Sequence, residues 1–358
     1  MALARTVRAA AAELLAPARL GVGVSIACER LLHEVEAHHA LHPELAVGQL
    51  DFRNAFNLVS RDAARAMLSR ALPLLSAYLT SVYGGEEAPT VYGWAPDADA
   101  GAEAPPSDVD SDAGDAAEAP SLPPPPPARL ELRAERGTQQ GDPLGPLLHA
   151  AALQLLLQRL CAAYPDVLLR ALQDDVVAVG APADLHSVMQ ATAAGGAAID
   201  AELAPAKCVG WSPSGAPAPA GWSGEWATEG ITQFSVPLGG HAWVDAAVLR
   251  LAAEQGALVG AIAALPPEQL QSQLLLLRQC AGPRANYWLR ALPLSAGARL
   301  AGAVDADARA VLGRLLFDAG DSAATREAAL EPAALPTAMG GLDIGGRSRI
   351  APAAALAS

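Results

Sequence analysis

The sequence predicts an α+β architecture in which a mixed helix–strand region is followed by a helical one. Three observations carry that expectation. Short apolar runs bounded by polar turns, at residues 45–52, 167–172, 176–179 and 234–238, read as strands. Between them lie stretches with helical spacing, of which 146–162 is the strongest. Beyond Val244 only helical patterning remains, over 246–264, 267–280 and 306–317, separated by Pro and Gly. At 358 residues the chain is long enough to bury a proper core in two domains, or in one domain with a large insertion.

In chain order, 7–15 and 27–40 read as helices. Residues 1–20 are Ala-rich with Arg5, Arg8 and Arg19, which suits a transit peptide, while Glu13 suits an ordinary amphipathic helix equally well. The strand 45–52 runs directly into a helix over 55–71. Residues 95–128 are of another kind. They carry eight acids from Asp97 to Glu118, no Lys or Arg, and a proline run at 123–127. With few large apolar residues, this stretch cannot bury enough surface to offset chain entropy, and a disordered insertion is expected. The runs 167–172 and 176–179 flank Asp174 and Asp175 as a hairpin with its acids at the turn. No internal repeat is present.

Composition narrows the function. Apolar residues make up 52% of the chain but aromatics only 4%, so Ala-rich helices with thin aromatic packing are expected. No run of eighteen or more strongly apolar residues appears, and no membrane span is expected. Cys28, Cys161, Cys208 and Cys280 lie far apart without a C-x-x-C pair, the pattern of reduced, intracellular thiols. His38, His39 and His42 cluster, but nothing at metal-ligand spacing accompanies them, so a solvated loop is expected. The formal net charge of −14 is the wrong sign for a protein that grips phosphates. Without the eight acids of 95–128 the balance is −6, which weakens the objection without removing it.

Three constellations carry chemistry. In Leu50-Asp51-Phe52-Arg53-Asn54-Ala55-Phe56-Asn57 a carboxylate stands where a strand ends and a helix begins. Taken alone, Asp51 is a helix cap or a ligand facing a cleft. In Arg136-Gly137-Thr138-Gln139-Gln140-Gly141-Asp142-Pro143-Leu144-Gly145-Pro146 a glycine-rich turn precedes a helix. Such a turn either caps the helix or lets backbone approach a flat or phosphorylated ligand. In Leu172-Gln173-Asp174-Asp175-Val176-Val177 two adjacent carboxylates sit on a tight apolar hairpin, either as an exposed acidic turn or as a cation site. Strand alternation would direct them to opposite sides, with Asp174 the natural ligand and Asp175 its support.

These three motifs, followed by Ala204-Pro205-Ala206-Lys207-Cys208 and Val236-Pro237-Leu238-Gly239, stand in an order that closely resembles the motif series of reverse transcriptases, most like the non-LTR retrotransposon type. The resemblance extends upstream to Leu20-Gly21-Val22-Gly23-Val24 with Cys28-Glu29, and faintly downstream to Leu276–Cys280 and Gly340-Gly341-Leu342. It implies a polymerase palm, an antiparallel sheet with packed helices, over 1–94 and 129–243, then a helical thumb-like region over 244–358. It implies RNA-directed DNA polymerisation, with an RNA template, a DNA primer and dNTPs as partners. Asp51, Asp174 and Asp175 would hold two Mg²⁺ ions, with Mn²⁺ a possible substitute, and Lys207 would assist the pyrophosphate leaving group. Phe52 and Phe56 would line the nucleotide site, Phe56 as a steric gate against a ribose 2′-hydroxyl. Gln140 and Gly141 would line the nucleotide and template site, and Leu238 and Gly239 would grip the primer end.

Two departures from that family bear on activity. Leu172 stands where an aromatic residue usually precedes the aspartate pair. Only fifty residues precede Asp51, and they contain no basic pair matching the triphosphate clamp of the family's fingers. The expectation is a chain lacking most of the fingers and weakened in catalysis. The alternative expectation is a catalytically inactive retroelement remnant, acting at most as an interaction module through its acidic, proline-rich insertion.

Overall fold

Why the strands fall where they do follows from which residues must be covered on both faces. A computed structural model of the chain describes residues 2–83, 90–94, 129–133, 136–139, 141–317 and 320–357. The expected disordered insertion at 95–128, and Gln140 of the glycine-rich turn, lie outside the described residues. The elements in order are α1 (Ala2–Leu15), α2 (Ala27–Leu41), β1 (Ala46–Leu50), α3 (Ala55–Leu58), α4 (Arg61–Ala71), α5 (Ser76–Tyr83), β2 (Thr90–Trp94) and β3 (Arg129–Arg133). Then come α6 (Gly145–Ala163), β4 (Leu168–Leu172), β5 (Asp175–Gly180), α7 (Pro182–Gly196), β6 (Val209–Trp211), β7 (Glu225–Ala227), β8 (Gly230–Gln233) and β9 (Val236–Gly239). The chain closes with α8 (His241–Ala263), α9 (Leu270–Leu276), α10 (Gly282–Ala291), α11 (Leu294–Leu316), α12 (Ala323–Ala333) and α13 (Arg347–Leu356). The α+β class is therefore as the sequence predicts.

The main sheet has the order β4-β5-β1-β6-β7. β1 lies antiparallel between β5 and β6, with Ala46 level with Gly180 and Leu50 level with Val176. Alternation sorts its side chains onto two faces. Ala46, Leu50, Val176 and Ala178 enter a core with Leu153, Leu156, Leu157 and Leu160 of α6 and Leu185, Val188 and Met189 of α7. Val47, Val177, Val179 and Trp211 take the other face, against Leu31 and Val35 of α2 and against Ile231 and Leu238 of the β8–β9 hairpin. Ala18–Leu20 extends the sheet past β4: Leu20 N donates to Ala171 O and Ala171 N to Ala18 O.

α6 is apolar nearly all round because it is covered nearly all round. Its sheet-facing leucines fill the first core, while Leu147, Leu148 and Ala150–Ala152 pack against α1, α4 and α5. Gln154, buried in the same helix, donates to Leu14 O and Leu15 O and so satisfies the carbonyls that end α1. A third core, of Leu32, Val236, Val244, Val248, Ala285, Leu292, Leu300 and Val304, joins the sheet region to the C-terminal helices.

Several expectations need correction. The helix expected over 55–71 is two helices, because Ser60 is extended and its hydroxyl accepts from Ala63 N to start α4 afresh. The strand expected at 234–238 is a hairpin whose turn is Phe234-Ser235, both at positive φ (49° and 65°). The histidine cluster is not a solvated loop. His38 and His39 stand in the last turn of α2 with His42 as its C-cap, and His39 meets the Trp211 ring edge-on at 5.4 Å. Two described helices, α6 and α8, are long and apolar enough to cross a membrane by length and composition, where the sequence suggested no such run. In this fold α6 is the core helix just described. On α8, Asp245 pairs with Arg299, Glu254 with Arg284, and buried Gln255 donates to Ala281 O.

Candidate active site

Asp51 and Asp175 are brought together by register. Leu50 is level with Val176, so one step on Asp51 is level with Asp175, and both follow the parity of Val47 and Val177. Two carboxylates thus stand at the same end of adjacent strands, and the Gln49 side chain hydrogen-bonds to Asp175. Burial, then Asp174, then Asp51 push the Asp175 carboxyl up to about 6, against the pull of the Gln49 hydrogen bond. Asp174 occupies the two-residue turn after Gln173, which is left-handed at φ 55°. The strand boundary falls after Asp174, so Asp175 opens β5 while Asp174 stands in the turn before it.

Arg19 lies beneath the turn, 2% exposed, donating to Gln173 O and to His149 O. Burial pulls its guanidinium down to about 9, opposed by the charge of Asp174. Gly21 lets the preceding segment reach the turn, since a Cβ there would stand 2.9 Å from Gln173 N. On the other side of Asp51 the chain runs antiparallel to residues 202–204: Arg53 N donates to Glu202 O and Ala204 N to Asp51 O, both at 2.8 Å. That pairing carries Lys207 in, and its Nζ stands 3.8 Å from Asp51 Oδ1. Both groups remain partly solvated, so the pair is a weak contributor to stability and a mobile, available cation.

Phe56 and the glycine-rich turn form a second contact. Thr138 N donates to Phe56 O at 2.6 Å, and Gly137 sits so close that a Cβ would meet Phe56 O and the Asn57 carbonyl at 2.3–2.4 Å. Its φ of 64° also disfavours any side chain. Arg61 ties the same turn down, donating to Gly137 O and Arg136 O with its guanidinium over the Tyr83 ring at 5.2 Å. The turn is organised from within by Asp142, whose carboxylate accepts from Tyr78 Oη (2.6 Å), from Tyr83 Oη and from Leu144 N (2.9 Å). Gln139 N in turn donates to Tyr83 Oη. Gly141 takes φ 90° with open space beside it. The Phe56 ring is half-buried and stacks on His149, centroids 4.4 Å apart at 23°.

Not every residue singled out from sequence joins this site. Phe52 is 3% exposed, its ring in the α6–α7 core, so it supports the site from beneath and does not line it. Leu238 is likewise buried, against Val47 and Trp211, leaving only its backbone to meet a ligand. Gly239 faces Trp243. The tip of the β8–β9 hairpin is held by α10: Tyr287 Oη donates to Phe234 O (2.7 Å) and Trp288 Nε1 to Ser235 O (3.3 Å). Sequence reasoning missed Arg19, Tyr78, Tyr83 and His149. The available signal for His149 was a polar ring inside the apolar first half of a helix.

No family model and no curated protein sequence matches the chain. Among solved structures it is similar to telomerase from Candida albicans, solved with a fragment of telomeric RNA, at 9% identity and a TM-score of 0.44, covering 88% of this chain and 56% of that one. Two structures of telomerase from Candida tropicalis follow. One is an apo form truncated from its C-terminal domain (10% identity, TM-score 0.40, covering 58% of this chain and 40% of that one). The other was solved with a telomeric RNA fragment (10%, TM-score 0.36, covering 92% and 56%). The chain thus spans about half the length of the solved chains it matches. Likenesses this low carry no weight for function, which rests on the site itself.

Proposed function

We propose that the chain is a template-directed nucleotidyltransferase domain of the reverse transcriptase kind, closest in its motifs to the non-LTR retrotransposon type. The observation that carries this reading is convergence. Motifs separated by 82 residues or more come into contact: Asp51 is level with Asp175, Lys207 pairs with Asp51, and the Gly137–Thr138 turn bonds to Phe56.

The donor set fits magnesium. Carboxylate oxygens are hard ligands, and Mg²⁺ is usually held by one or two carboxylates together with substrate phosphates. Asp51 and Asp175 supply such a pair, and Asp174 adds charge from the turn. Among the described residues no three His, Cys, Asp or Glu side chains gather into a group that could hold a metal ion by themselves. A bound divalent pair would supply Lewis acidity to the attacking hydroxyl and the leaving phosphate oxygens. The chain's own groups do the rest. Lys207, tethered to Asp51 but mostly exposed, is placed to swing toward a departing pyrophosphate and donate to it. Phe56 limits the space beside a sugar, and Gly141 leaves backbone open beside a base. An RNA template and DNA primer are the partners this reading requires.

The test is dNTP incorporation on a primed RNA template with Mg²⁺, and separately with Mn²⁺. Asp51→Asn and Asp175→Asn should each abolish it without loss of fold, and Lys207→Ala should slow it. Well-folded wild-type protein that incorporates nothing would favour an inactive interaction module.

A further inference from the structure

The Phe56 ring has a backing that neither composition nor motif explains. His149 is 1% exposed near the N-terminal end of α6, and its ring lies nearly parallel to that of Phe56 at 4.4 Å. Neither Nδ1 nor Nε2 of His149 has a hydrogen-bond partner. Burying two unpaired ring nitrogens costs stability, and a leucine, like its neighbours Leu147 and Leu148, would avoid that cost. What histidine supplies there and leucine cannot is a flat face. The rest of the surroundings hold both rings in place. Thr138 N and Gly137 clamp the Phe56 backbone from one side, and Arg19 Nη1 donates to His149 O from the other. Arg19 also donates to Gln173 O, so one buried cation links the helix that carries His149 to the aspartate hairpin.

We infer that His149 is a specificity-determining positioning residue, which fixes the Phe56 ring as a rigid wall against the sugar of an incoming nucleotide. This rests on the polymerase reading above, with Phe56 as the gate. A ring free to rotate about its side-chain bonds yields to a 2′-hydroxyl. A ring stacked on a second ring that is itself enclosed does not. His149 touches no substrate; its effect on sugar selection passes entirely through Phe56. Aromatic pairs of this kind contribute modestly beyond the area they bury, so loss of the stack should lower the preference for deoxynucleotides about three- to tenfold. It should leave the deoxynucleotide rate itself nearly unchanged.

The experiment combines His149→Leu, which removes the flat face, with His149→Phe, which keeps it. Two readouts are taken on the full chain. One is the ratio of dNTP to rNTP incorporation on a primed RNA template. The other is independent of activity: ¹⁹F NMR of protein labelled with fluorophenylalanine, which has only four resonances because the chain has only four phenylalanines. Phe56→Leu identifies the relevant one. The expected result is that His149→Leu moves the Phe56 resonance and lowers the ratio, while His149→Phe retains the ratio. A shifted resonance with an unchanged ratio in active protein overturns the inference, as does a resonance that does not move. If wild-type protein incorporates neither nucleotide, the polymerase reading falls and takes the specificity role with it. The resonance shift then reports only a packing contact.

Discussion

Replacing Asp142 by alanine removes the acceptor around which the glycine-rich turn is built. Three donors converge on its carboxylate: the Tyr78 and Tyr83 hydroxyls and Leu144 N. Hydrogen bonds to a charged group are worth about 1.5–3 kcal/mol net when buried. Tyr83 is 5% exposed and should carry a value in that range. Tyr78 is half-buried and can recover water, so it should carry about 0.5–1 kcal/mol, while Leu144 N, on a residue 4% exposed, should carry about 0.5–1.5 kcal/mol. Asp142→Ala is therefore expected to cost about 3 kcal/mol, read from urea unfolding followed by far-UV circular dichroism at pH 7. A cycle with Tyr83→Phe should show a coupling of about 1–2 kcal/mol, because the two side chains act through one bond. Burial first, and Asp142 second, raise both tyrosines above their usual pKa. In Asp142→Ala their ionisation, followed by tyrosinate absorbance, should move back toward 10. A loss below about 1 kcal/mol with no coupling would mean that Arg61 and the backbone contacts of Thr138 hold the turn, and that Asp142 does not organise it.

Other consequences follow from burial and capping. Burial holds His149 and His39 down to about 3 and about 4, so between those values and the ordinary 6.5 the unfolded chain binds more protons than the folded one. Their contribution is complete above 6.5 and is lost as pH falls, at up to about 1.4 kcal/mol per pH unit for each ring, and His149→Leu should flatten the fall in urea midpoint from pH 7 to pH 5. Arg290→Ala strands Glu29, which is 5% exposed and accepts from Arg290 Nε at 2.9 Å; a loss of about 2–3 kcal/mol is expected, and Glu29→Gln in the same background should recover part of it. Ser60→Ala removes the cap of α4 and should cost about 1 kcal/mol in thermal or urea unfolding, with Ser60→Asp close to wild type.

What the sequence made legible was local. The runs at 45–52 and 167–179 show as strands because a core on both faces makes each a short apolar run, and the carboxylates show because charge at the end of such a run is costly without a role. The break at Ser60 was hidden by continuous helical spacing on either side of it. The turn at Phe234-Ser235 contains neither Gly nor Asn, and its two left-handed residues are held by Tyr287 and Trp288 from α10, some fifty residues away. Such tertiary support overrides local preference and leaves no local trace. Arg19 reaches Gln173 across 154 positions, and Tyr83 reaches Asp142 across 59. No periodicity connects them. Strands as short as β6 and β7, three residues each, carry too little pattern to stand out.

The register of β2 and β3 sets Trp94 directly across from Arg129. The chain that leaves the pair at Trp94 therefore rejoins it at Arg129, about 5 Å away. Whatever stretch joins two such points closes a ring, and the sheet pair registers only the closure. Doubling the length of a closed stretch adds only about 0.6 kcal/mol of entropy. Length and composition at that point can drift at almost no cost to the rest of the protein. The same geometry makes the stretch separable by design: an Asn-Gly turn joining Trp94 to Arg129 would shorten the protein at a single seam and take eight negative charges with it. In this chain colloidal behaviour and folding are written in different places and are open to being edited one at a time.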